Sequence, residues 1–123
     1  MTRDEFRKRT FLIGIRCIRL AESLPKSLSA QVVAKKLIRA ATSVGANYRV
    51  AIRGNSRADF VVKMGIVEEE CDEVLYWIEV IVELGLIPST RTAELQIEAN
   101  EILAIVVSSI KTARRSNSPK VSK

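Results

Sequence analysis

In this chain of 123 residues the side chains whose types and spacing could do chemistry are Lys35, Arg39, Arg49, Arg53, Arg57 and Lys63. A guanidinium carries a permanent charge and presents its donors in a fork that matches phosphate oxygens, so a row of them suits a polyanion. At about 100° per residue of helix, Lys35, Arg39, Arg49 and Arg53 share one arc centred on Lys35, with Thr42 and Ala46 between them. On the opposite side, Val33, Leu37, Ala40, Val44, Tyr48 and Ala51 fall within roughly 80° of one another. Such a helix has one side for a core and one for water, a phosphate backbone or an acidic neighbour. No aromatic or amide side chain interleaves the basic arc, so any contact with nucleic acid is expected to read phosphates rather than bases.

The second cluster, Glu68-Glu69-Glu70-Cys71-Asp72-Glu73, invites comparison with helical bundles that hold two metals between inward-facing carboxylates. Composition argues against it. The chain has no histidine, so the Glu-x-x-His pairs of di-iron bundles are impossible, and the core-facing position of the run is Cys71 rather than an acid. The acids read instead as a solvated or ion-paired helix face, meeting the arginines of the first two helices. Serine nucleophiles lack a histidine base, and no glycine-rich phosphate loop follows a strand, because no strand is predicted. The expectation is a protein that is not an enzyme and carries no cofactor. Cys17 and Cys71 lie far apart without CxxC spacing, each within an apolar stripe, and are read as reduced core thiols.

Charge is divided along the chain in blocks. Residues 1–57 carry 13 Lys/Arg against 3 Asp/Glu, residues 58–101 carry 2 against 11, and residues 102–123 carry 5 against none, for a net charge of +6. Either a basic element packs beside an acidic one, or a basic face is left for a polyanion, and both can hold at once. No apolar run reaches the roughly 18 residues of a membrane span, and the N-terminus lacks the pattern of a signal peptide, so a cytoplasmic protein without a membrane partner is expected.

The elements that must position these residues follow from apolar periodicity. Phe6, Thr10, Ile13, Cys17, Leu20 and Leu24 mark one face of a helix from about Arg3 to Ser23, which Pro25 ends. Ser27 or Ser29 can cap a second helix, from about Leu28 to Arg53, in which Ala40, Ala41, Gly45 and Ala46 permit close backbone approach. Gly54-Asn55 reads as its C-cap, and Ser56 with Asp59 as the start of a third helix. That helix has a principal stripe at Phe60, Met64, Val67, Cys71, Val74, Ile78, Val82 and Gly85. A second apolar arc, Val62, Ile66, Trp77, Val80 and Leu84, is displaced from it by more than about 90°. A helix with two apolar faces needs two neighbours, and the second arc is assigned to a subunit interface. After Gly85 and Pro88, Ser89, Thr90 or Thr92 can cap a fourth helix bearing Leu95, Ala99, Ile102, Val106 and Ser109, which runs to about Ala113. With connections this short, the fold class is all-α, an antiparallel up-and-down four-helix bundle over residues 1–115, followed by a disordered basic tail at 116–123.

The run from Arg39 to Arg49, then Ser56-Arg57-Ala58-Asp59-Phe60 with Lys63, then Glu69-Glu70-Cys71-Asp72-Glu73 and Leu75-Tyr76-Trp77, resembles the family of four-helix-bundle proteins encoded in intervening sequences of bacterial large-subunit ribosomal RNA genes. Leu24-Pro25-Lys26, Gly85-Leu86-Ile87 and the stretch from Ser109 to Arg114 extend the resemblance over about residues 5–115. It implies a homopentameric ring of antiparallel bundles. Its more distant members include the accessory protein of diversity-generating retroelements, which works with a reverse transcriptase and nucleic acid, so a nucleic-acid enzyme is an expected class of partner. It implies no activity. Two readings result. One is a non-enzymatic homo-oligomer binding RNA or DNA through Lys35, Arg39, Arg49, Arg53, Arg57 and Lys63; the other is a scaffold whose arginines pair with acids of the neighbouring subunit.

Overall fold

The structure, a computed structural model, describes residues 1–116. Helix α1 spans Arg3–Glu22, α2 Leu28–Ile52, α3 Arg57–Glu83 and α4 Ser89–Ser116. The first three begin at hydroxyl caps. Thr2 accepts from the Glu5 backbone N–H while the Glu5 carboxylate accepts from that of Thr2, a reciprocal box; Ser27 accepts from Ala30 N–H and Ser56 from Asp59 N–H. Each satisfies backbone donors that the first helical turn leaves without partners. Helices α1 and α2, α2 and α3, and α3 and α4 pack as sequential neighbours, α1 meets α4 more sparingly, and among the described residues the backbones of the diagonal pairs stay apart. This is the up-and-down arrangement expected from the connections.

The core is aliphatic. Ile13, Leu37, Met64, Ile78, Ile81 and Ile102 are wholly buried, and Phe6 meets Tyr48 edge to face at 4.9 Å. The predicted inner face of α2 is buried at all six positions. Cys17 and Cys71 are buried and unbonded, and removal from water pushes both thiols up to about 12. Close approach occurs where the small residues of α2 cross α1: a methyl added at Gly45 would lie 2.9 Å from the Thr10 carbonyl oxygen.

Several local expectations need correction. The left-handed helix end is at Gly85, with φ of 70°, and not at Gly54. At Gly85 the Leu86 N–H donates to Ile81 O and the Gly85 N–H to Val82 O, closing a Schellman turn that places Gly85 outside the buried stripe. Helix α2 instead ends at Arg53 with φ −99° and ψ 3°. Ile81 is buried although the stripe omitted it, while Phe60 and Val82 are half-buried. On α4, Ile110 and not Ser109 faces the core, because the helix turns slightly less than two turns in seven residues and the stripe drifts by one position. Thr92 does not cap α4. It is buried within the first turn, its hydroxyl donating to Ser89 O. Helix α4 continues to Ser116, so Arg114 and Arg115 are helical; of the predicted tail, residues 117–123 lie outside the described residues.

Candidate nucleic-acid interface

The predicted basic residues do not form one continuous surface. Arg39 turns toward α3, where its Nη2 lies 2.9 Å from Glu70 Oε1 and 3.0 Å from Glu73 Oε1, and its Nη1 donates to Glu70 Oε2 at 3.2 Å. The two carboxylates raise the Arg39 pKa above its ordinary value, Glu70 contributing most. Two of the acids in the Glu68–Glu73 run therefore neutralise an arginine of the same chain, as the ion-paired reading of that run anticipated. Arg39 is a strap between α2 and α3 before it is anything else.

Arg49 and Arg53 face the other neighbour. Together with Thr10, Phe11, Ile15, Thr42 and Ala46 they line a groove of about 340 Å³ between α1 and α2, with no carboxylate among the described residues of its walls. The groove exists because Gly14 and Gly45 let the two backbones approach, so side chains flanking the crossing splay outward. The Arg49 guanidinium sits 5.6 Å from the centroid of Phe11, whose ring is 47% exposed. An aromatic thus does accompany the basic stripe, supplied by α1, a contact that the helical angles of α2 alone could not reveal. Lys35 is exposed on the outer side of α2, and Lys63 is half-buried on α3. Arg57, first residue of α3, lines a separate cleft at the end of the bundle.

A second ion-pair cluster falls on residues outside the apolar stripes of α1 and α4. Arg9 on α1 reaches α4, with Nη2 2.5 Å from Glu98 Oε1 and 2.9 Å from Glu101 Oε1, and Nε donating to Glu98 Oε2 at 2.8 Å. Hydrogen bonds donated to Glu98, and then to Glu101, raise the Arg9 pKa above its usual range. This clasp lies on the sparsest seam of the bundle. The block charge pattern was its only trace in the sequence, since pairs 89 and 92 residues apart leave no local spacing.

The residues assigned to a subunit interface divide as well. Val62 (63%), Leu84 (51%) and Ile66 (36%) are exposed, whereas Trp77 and Val80 are half-buried and lean on the core. The Trp77 indole N–H donates to Glu73 Oε1 at 3.4 Å, and its ring meets Tyr76 edge to face. Among the described residues no three His, Cys, Asp or Glu side chains are gathered to hold a metal, and no helix is long and apolar enough to cross a membrane.

Fold and surface together define an antiparallel four-helix bundle with a carboxylate-free basic groove. The family model of the 23S rRNA-intervening sequence proteins matches residues 4–108, and the chain belongs to that family. It is similar to the crystal structure of a protein of unknown function of the S23 ribosomal protein family from Bacteroides thetaiotaomicron, with a TM-score of 0.83 and 29% identity, over 90% of this chain and 99% of that one. No curated protein matches. Neither match indicates an enzymatic family.

Proposed function

We propose that the protein is a non-enzymatic homo-oligomer, a pentameric ring as the family resemblance implies, that binds nucleic acid through the phosphate backbone. The observation that carries this reading is the α1–α2 groove, where Arg49 and Arg53 stand beside the exposed ring of Phe11 with no acid lining the walls. Lys35 extends the same outer side of α2. Arg39 contributes less, because a phosphate would have to displace two carboxylates that already hold it. Phosphate contacts of this kind bind with little base selectivity and with a steep dependence on salt.

The test is the affinity for single- and double-stranded RNA and DNA across a salt series, for the wild type and for Arg49→Glu/Arg53→Glu. Each phosphate contact contributes a slope of about 0.7–0.9 in log K against log salt, so losing two should flatten the slope by about 1.4–1.8. Affinity and slope that survive the double reversal refute the reading.

The scaffold alternative is favoured by one observation of its own. The exposed side of α3 carries Glu69, Asp72, Glu79 and Glu83 together with Val62, Ile66 and Leu84. That surface complements the basic and apolar outer side of α1, where Arg16, Arg19, Phe11 and Leu12 are exposed. A head-to-tail contact between such unlike faces closes a ring where the rotation between copies divides a full turn. Under this reading Arg16→Glu/Arg19→Glu lowers the mass measured by light scattering, and binding of nucleic acid is absent from the start.

A further inference from the structure

Among the described residues a cleft larger than the basic groove lies at the end of the bundle where α1 and α3 begin and α2 and α4 finish. It encloses about 1030 Å³. Three of the chain's six aromatic side chains, Phe6, Tyr48 and Phe60, line it, along with Arg3 and Arg57, and no carboxylate does. The Arg3 guanidinium lies 5.6 Å from the Phe60 centroid, and the charge of Arg3 is felt at the Tyr48 hydroxyl, where it opposes the upward push of burial. The α4 wall carries Ser108, Ser109 and Thr112. Neither these three hydroxyls nor that of Tyr48 makes a hydrogen bond within the described residues, yet no side-chain polar atom there is both fully buried and unpartnered. The hydroxyls are therefore open to whatever occupies the cleft.

Aromatic rings, guanidinium groups and uncommitted hydroxyls around one concave space select a particular ligand chemistry. A purely apolar ligand would waste the arginines and hydroxyls, and a bare inorganic anion would leave the aromatic wall wet. A planar heteroaromatic ring joined to an anion satisfies all three: the ring lies against Phe60, its polar edge or an attached sugar meets the hydroxyls, and the anion meets Arg3.

We infer that this end cleft is a binding site for a nucleoside phosphate, either free or as the terminal unit of a strand. Its residues are not those of the α1–α2 groove, so it stands or falls separately from the proposed function.

The experiment is calorimetric titration of the full chain with adenosine 5′-monophosphate, uridine 5′-monophosphate, the corresponding nucleosides, inorganic phosphate, and a short single-stranded RNA with and without a 5′-phosphate. Saturable binding of the monophosphates is expected, at least about tenfold tighter than of the nucleosides or of inorganic phosphate, one contact's worth of free energy. Arg3→Glu, at an exposed position in the first turn of α1, should weaken it by at least the same factor with helicity unchanged by circular dichroism. Tyr48→Phe, which keeps the ring, should weaken it by less. Arg49→Glu/Arg53→Glu should leave it unchanged. In the Arg49→Glu/Arg53→Glu variant, tighter binding of the 5′-phosphorylated strand than of both the unphosphorylated strand and the free monophosphate identifies a strand end as the source, and any other order identifies the free nucleotide. The inference is overturned by absence of saturable monophosphate binding, by equal binding of inorganic phosphate, by affinity that survives Arg3→Glu, or by loss of affinity in the Arg49/Arg53 variant.

Discussion

Substituting alanine at Gly45 should destabilise the protein although alanine is the better helix former. Gly45 lies inside α2 with an ordinary helical backbone, and in isolation the change would favour the helix by about 1 kcal/mol. The added methyl, however, would lie 2.9 Å from Thr10 O, 3.2 Å from Thr10 C and 3.3 Å from Phe11 Cα. All three are backbone atoms of α1, so no side chain can rotate away; the helices must separate until the shortest contact opens by about half an ångström to an ordinary van der Waals distance. Overpacking costs about 1–3 kcal/mol, and because every contact here is backbone the upper part of that range, about 2–3 kcal/mol, applies, so a net loss of about 1–2 kcal/mol remains after the propensity gain. For a domain of this size the midpoint of thermal unfolding should fall by roughly 4–8 °C. The control is Gly65→Ala in α3, where nothing lies within 4 Å of the added methyl; there only the propensity term acts, and stability should rise by about 0.5–1 kcal/mol. Urea and thermal unfolding followed by far-ultraviolet circular dichroism measure both. A Gly45→Ala protein as stable as the wild type would refute the close helix crossing, and with it the account of why the α1–α2 groove opens beside Arg49.

Further outcomes follow from other contacts. Gly85→Ala meets no steric neighbour but must hold φ at 70°, so it should cost about 1–2 kcal/mol in urea unfolding, a purely conformational loss. Arg9→Met should cost about 1–3 kcal/mol, because half-buried Glu98 loses its charged hydrogen bonds, and adding Glu98→Gln should recover part of that in a double-mutant cycle. The two thiols should be silent to a disulfide reagent at pH 8 until the chain unfolds, since burial, reinforced at Cys71 by Asp72, Glu68 and Glu70, pushes them up to about 12. Their ordinary value is 9.0, so between pH 9 and 12 the unfolded chain releases protons that the folded one keeps. Stability should therefore fall with rising pH across that window, by up to about 1.4 kcal/mol per pH unit for each thiol, and less steeply in Cys17→Ala/Cys71→Ala.

Helix-forming information in this chain is local and was readable as such. Ser27 and Ser56 cap the helices they precede, Pro25 separates α1 from α2, and Val33, Leu37, Ala40, Val44, Tyr48 and Ala51 are buried as their angles require. Reading failed by one position at Ser109 and Ile110, and at Gly54, where a glycine after a helix looked like a left-handed cap but the turn closes around Asp59, whose carboxylate fills the space a side chain would need. Val80 and Trp77, read as part of the second apolar arc, are half-buried and pack against the core of their own chain.

What the sequence by itself determined is the number, extent and inner faces of the helices, because these depend on side chains three and four residues apart on one backbone. What only the tertiary structure decided is which arginine answers to which partner. Arg39 and Arg49 lie roughly 80° apart on α2, on one basic arc by any count of angles, yet one flank of that arc borders α3 and the other borders α1. The first arginine is taken by Glu70 and Glu73, and the second is left beside Phe11. The difference arises from the azimuth at which neighbouring helices pack, which is set by close contacts such as Gly45 against Thr10 and is written in no single stretch of the chain.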